Sequence, residues 1–117
     1  MINGEMGDIK SKVYSVILTE LISEYSKIGI ILNNKRLFNS LRVDKERRFV
    51  WEKAKGIYDL VYNDIQELIN RVDSTLDNSE KLTQNINKLV QSKASILNKL
   101  HNLKVIVEPF RRYSHFK

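Results

Sequence analysis

Residues 44–76 read DKERRFVWEKAKGIYDLVYNDIQELINRVDSTL, and this stretch decides the fold. Val50, Ala54, Ile57, Val61, Ile65, Leu68, Val72 and Leu76 recur at steps of three or four, which stacks them on one face of a helix with about 3.6 residues per turn. Trp51 and Tyr58 fall on the same broad stripe and join the expected core. Asp44 stands where a short acceptor side chain caps the free amides of a first turn. The spacing therefore predicts a helix over 45–76 with one long apolar face, and such a face needs other helices to cover it.

Working outward, the same periodicity appears on both sides. Before it, Ile9, Val13, Ile17, Leu21, Tyr25, Ile28 and Leu32 predict a helix over 8–32, capped by Asp8 and stopped at Asn33-Asn34 by a residue tolerant of the left-handed region. Leu37, Phe38 and Leu41 predict a short helix over 35–42. After it, Leu82, Ile86, Leu89, Val90, Ile96, Leu97, Leu100 and Leu103 predict a third long helix over 80–104, with Ser79 as its N-cap. Pro109 is expected to end that helix, leaving 109–117 as a basic, aromatic tail. Val105-Ile106-Val107 reads equally as a last turn or an extended piece. The expectation is an all-α single domain over 1–117: an antiparallel bundle of three long helices, one short helix and the tail.

Composition narrows the function. A chain of 117 residues has room for one domain, and 42% hydrophobic residues are too many for a disordered one. With no cysteine and only His101 and His115, thiolate chemistry is excluded and a histidine metal cluster is nearly so. His101 reads as a boundary residue without a paired nucleophile or carboxylate, the acidic run of 59–80 reads as a solvated face, and there is neither a Gly-rich phosphate loop nor a nucleophile elbow. The expectation is a protein that is not an enzyme, with no catalytic residue, metal or cofactor. Met1–Met6 lacks the basic and apolar pattern of a secretory signal, and no apolar run approaches the roughly 20 residues that cross a bilayer. The reading is a cytoplasmic protein without a membrane span.

Charge supplies the functional expectation. The formal net charge is +6, but it is distributed in blocks. Residues 35–55 hold eight Lys and Arg against three Asp and Glu, residues 56–80 one against six, and residues 81–117 eight against one. Antiparallel folding brings the first and third blocks to one end of the bundle, making a patch suited to a polyanion. The expected phosphate contacts are Arg36, Arg42, Arg47, Arg48, Lys53, Lys55, Lys99, Arg111 and Arg112, with Tyr113 and Phe116 stacking on unpaired bases of DNA or RNA. Phe49 and Leu60 lie off the main stripe of the 45–76 helix and need a second covering surface. Leu37, Phe38 and Leu41 would cover them from within; otherwise they form a docking patch for a protein partner or another copy. Two functional expectations follow: a nucleic-acid-binding accessory domain or subunit of a replication, transcription or defence complex, and alternatively an adaptor, inhibitor or immunity-type bundle docking on an acidic protein.

Overall fold

The computed structural model describes residues 2–76 and 82–115, with side chains placed for 11–75 and 84–111. Four helices occupy them: α1 (Ile2–Leu32), α2 (Lys35–Ser40), α3 (Lys45–Leu76) and α4 (Leu82–His115). The molecule is a rod of 60 × 22 × 16 Å.

Its core is one continuous apolar seam. Ile17, Leu21 and Ile28 of α1, Leu37 and Leu41 at α2, Trp51, Ala54, Tyr58, Val61, Ile65, Leu68 and Val72 of α3, and Leu89, Ile96, Leu100, Leu103, Val107 and Phe110 of α4 are all buried. Among the described residues no polar or charged side chain is buried with them. The α3 stripe differs from the expected one in its first half. Trp51 and Tyr58 take the core line, and Val50 and Ile57, expected there, remain 39% and 40% exposed. The larger rings remove more apolar area from water than Val50 or Ile57 could, so the helix rolls to bury them.

Cross-helix contacts fix which residues lie beside which. Between α3 and α4, Trp51 meets Phe110 edge to face at 5.3 Å and Asp64 receives Lys99 at 3.0 Å. Between α1 and α3, Tyr25 stacks on Tyr58 at 4.0 Å and leans on Tyr62, while Lys55 reaches Asn33 at 2.8 Å. Between α1 and α4 the order is the same on both: Lys93 donates to the Val16 carbonyl at 2.7 Å and Lys104 approaches Glu24 at 3.9 Å.

The helix ends correct several expectations. Asp8 lies inside α1, because nothing between Ile2 and Asp8 stops the helix; glycines at 4 and 7 weaken it without breaking it. The α1–α2 stop uses no left-handed residue. Asn34 is extended (φ −79°, ψ 104°) and its side chain caps α2 by accepting from the Leu37 amide at 3.0 Å. Asp44 caps α3 as expected, accepting from the Arg47 amide at 3.1 Å. Ser79 lies outside the described residues.

The largest correction is at Pro109. Residues 104–108 are helical and α4 runs through the proline to His115, so 109–115 is no separate tail. A proline inside a helix costs about 3 kcal/mol, since it removes one amide donor and crowds the carbonyl four residues back. Burying Val107 and Phe110 contributes about 1.5–3 kcal/mol each, enough to offset that. Pro109 itself is exposed and Val105, whose carbonyl loses its partner, is 75% exposed, so water can satisfy the freed acceptor.

Candidate nucleic-acid interface

One end of the rod is built from the last turns of α1, all of α2, the start of α3 and the last turns of α4. Trp51 organises it: its indole packs edge-on against Phe110 and, from the other side, 6.2 Å from the Phe38 ring. Phe38, on the outer side of α2, keeps 37% of its surface exposed, and the Arg48 guanidinium lies 5.7 Å over it. α2 separates two open clefts, each about 500 Å³. One is lined by Asn33, Asn34, Lys35, Phe38, Asn39, Trp51 and Lys55. The other has an apolar floor of Ile28, Ile31, Leu37 and Val107 and a rim that includes Lys27, Lys104 and Arg111.

The sequence-predicted cations divide into three groups. Arg36 on α2 and Arg42 in the α2–α3 turn are exposed and form no ion pair among the described residues, and the same holds for Lys35 and Lys45. Arg47, Arg48, Lys55 and Arg111 lie at the same end but each has a carboxylate within one helical turn: Asp44 at 3.5 Å, Glu52 at 3.4 Å, Asp59 at 3.5 Å and Glu108 at 3.8 Å. These pairs are exposed, and such pairs contribute about 0–1 kcal/mol and are screened by salt, so a phosphate can displace the carboxylate at little cost. Lys55 is held further by its bond to Asn33 and by the Tyr58 ring 5.2 Å below it. Two cations are not gathered with the rest. Lys99 is bound to Asp64 down the shaft, and Lys53 turns back over the Phe49 ring at 4.8 Å. α4 carries the backbone of Arg112 and Tyr113 to this end, while their side chains and Phe116 lie outside the described residues.

The expected cover over Phe49 and Leu60 does not form. Leu37 and Leu41 are consumed by the core and Phe38 by Trp51, leaving Phe49 58% and Leu60 66% exposed. Phe38 enters the sequence reading as a covering ring and Asn33-Asn34 as a helix stop, and their meeting with Asn39 in one cleft is not among its expectations. A two-turn helix gives too little periodicity to say which of its rings faces water.

Two tyrosines stack ring on ring in the α1–α3 seam. Burial, together with its hydrogen bond to Tyr58, pushes the Tyr25 hydroxyl well above the usual tyrosine range. Burial also raises Tyr58, partly countered by that same hydrogen bond. Gly29 makes this possible, because a methyl there would overlap the Tyr58 hydroxyl and stand 3.2 Å from its ring carbon Cζ.

Comparison of the chain with protein-family models, with curated proteins and with solved structures returns no match. Among the described residues no helix is long and apolar enough to cross a membrane.

Proposed function

We propose that this chain is a non-enzymatic, nucleic-acid-binding helical bundle serving as an accessory domain or subunit of a replication, transcription or defence complex. In this reading consecutive long helices run antiparallel, and that arrangement carries cations from the two basic blocks of the sequence to one end. The observation that carries it is the composition of that end. Among the described residues, Lys27, Lys35, Arg36, Arg42, Lys45, Arg47, Arg48, Lys55, Lys104 and Arg111 stand there against Glu24, Asp44, Glu46, Glu52, Asp59 and Glu108. The excess surrounds clefts whose aromatic ring and amides suit an unpaired base, while the cations neutralise phosphates and release counterions.

Binding of a labelled oligonucleotide at two salt concentrations tests this. About five phosphate contacts give a log–log salt slope near −4.5 on duplex and about −3.5 on single strands, a loss of roughly 100- to 1000-fold between 50 and 200 mM salt. Undetectable binding at about 50 mM salt, where such contacts act strongly, refutes the proposal.

A second reading rests on a different observation, the uncovered Phe49 and Leu60. On this reading the chain is a protein-interaction bundle and that flank of α3 is its docking face. Phe49→Ser with Leu60→Ser would then abolish partner capture without changing the oligonucleotide salt slope.

A further inference from the structure

The cleft between the end of α1, α2 and the first turns of α3 has side chains whose hydrogen-bonding capacity runs mainly in one sense. Asn33 and Asn34 stand in its wall at the α1–α2 junction, and both are exposed. The Asn34 side-chain oxygen accepts the Leu37 amide at 3.0 Å, and the Asn33 oxygen accepts the Lys55 ammonium at 2.8 Å. Neither amide can be turned over, because a backbone N–H and an ammonium each need an oxygen opposite them. With both oxygens spent, what these two side chains still offer is N–H. Lys35 and Lys55 add ammonium donors, and among the described residues no carboxylate lines the cleft. Asn39, whose amide forms no side-chain hydrogen bond among the described residues, can turn either way and favours neither sense.

We propose that this cleft selects a keto base of a nucleic-acid strand (uracil, thymine or guanine) over an amino base (cytosine or adenine). The inference rests on the nucleic-acid reading above and adds a base preference to it. A keto base presents a carbonyl oxygen where an amino base presents an NH2 donor: O4 against N4 in the pyrimidines, O6 against N6 in the purines. The keto oxygen pairs with an N–H of the cleft. The amino group meets another donor and displaces the water that had satisfied it, which costs affinity. The exposed part of the Phe38 ring is an apolar wall that every base meets alike, so it contributes affinity without preference. Arg36 and Arg42, exposed at the same end, hold the phosphates of any sequence equally and tie the base to a strand.

The test measures binding of the full chain to two labelled homopolymers of about ten nucleotides, one of deoxyuridine and one of deoxycytidine, at about 50 mM salt. Their rings are of one size and their phosphates identical, so stacking and counterion release cancel in the ratio. The wild type is expected to bind the deoxyuridine strand about 3- to 10-fold more tightly, with the same salt slope for both. Asn34→Ser keeps the α2 cap, since a serine hydroxyl also accepts the Leu37 amide, but removes the NH2 group. It is expected to cut the preference by half or more and to leave the salt slope and helical circular dichroism unchanged. Should it lose helicity, Asn34→Asp keeps the cap by its carboxylate and turns the donor into an acceptor, and the ratio is expected to fall to about 1 or reverse. Deoxyuridine 5′-monophosphate, the same ring with one phosphate, is expected to compete about a hundredfold or more less well than the strand, and competition at equal concentration overturns the assignment to a strand. Equal wild-type affinity for the two strands overturns the proposal while leaving the nucleic-acid reading intact. So does a preference that the Asn34 variants do not reduce, because another part of the surface then reads the base. Absence of binding to either strand defeats the nucleic-acid reading itself, and the proposal with it.

Discussion

Replacing Pro109 with alanine isolates the feature of α4 that local rules oppose. In the wild type the helix continues through residue 109 without an amide there, and the Val105 carbonyl is left to water on an exposed face. Pro109→Ala restores the hydrogen bond and removes ring crowding, a gain of up to about 3 kcal/mol in a helix interior. Against this, the unfolded chain loses the constraint of proline, which costs about 0.4–1 kcal/mol. Exposure of Val105 already softens the penalty, so the net expectation is a stabilisation of about 1–2 kcal/mol. For a chain of this size that raises Tm by roughly 4–8 °C. Urea and thermal unfolding by circular dichroism measure it, and hydrogen exchange should show added protection at residue 109 and its neighbours. A destabilised variant would refute the reasoning, since it would mean that the segment after Val107 is not helical, or that proline sits at the first turn of a separate helix where it is favourable.

Other perturbations probe the seam and the surface. Gly29→Ala should lower stability by about 0.5–2 kcal/mol, overpacking against Tyr58 exceeding the gain in helix propensity, and the loss should shrink by half or more in a Tyr58→Phe background; an equal loss in both would remove Tyr58 as the cause. Gly56→Ala meets nothing within 4 Å and should stabilise by about 0.5–1 kcal/mol in a denaturation curve taken at low protein concentration. The raised Tyr25 and Tyr58 hydroxyls predict alkaline sensitivity. Their stabilising contribution is complete below the unfolded tyrosine pKa near 10 and is lost as pH climbs from there toward the folded values, because the unfolded state ionises first. Tyr25→Phe should flatten the fall in Tm above about pH 10, and an unchanged slope would argue against burial of the pair.

Much of the fold was legible because each long helix carries a strict three-and-four spacing and because Asp44 is a cap with a local mechanism. What local sequence could not convey was competition between surfaces. Whether Val50 or Trp51 faces the core depends on the area each buries against α2 and α4, and both lie within the same broad stripe. Whether α4 passes Pro109 depends on Phe110 finding Trp51, a contact 59 positions away in the chain. The charged blocks pointed to one end of the rod, and Arg36, Arg42, Arg47, Arg48 and Arg111 are there. Lys99 is not, because its partner Asp64 lies on another helix and no spacing rule joins the two. Phe38 was missed as an exposed ring because its neighbours on α2 are too few to define a face.

The most direct measurement of the functional claim compares two variants of equal net charge. Arg36→Gln with Arg42→Gln removes two cations from the basic end, and Lys12→Gln with Lys88→Gln removes two exposed cations toward the other end of the rod. If phosphates bind where the cations gather, the first variant reduces the log–log salt slope for a mixed-sequence oligonucleotide by about 2 and the second leaves it within about 0.5 of the wild type. Equal reductions in both would mean that overall charge attracts the nucleic acid and that this end of the bundle has no special part in it.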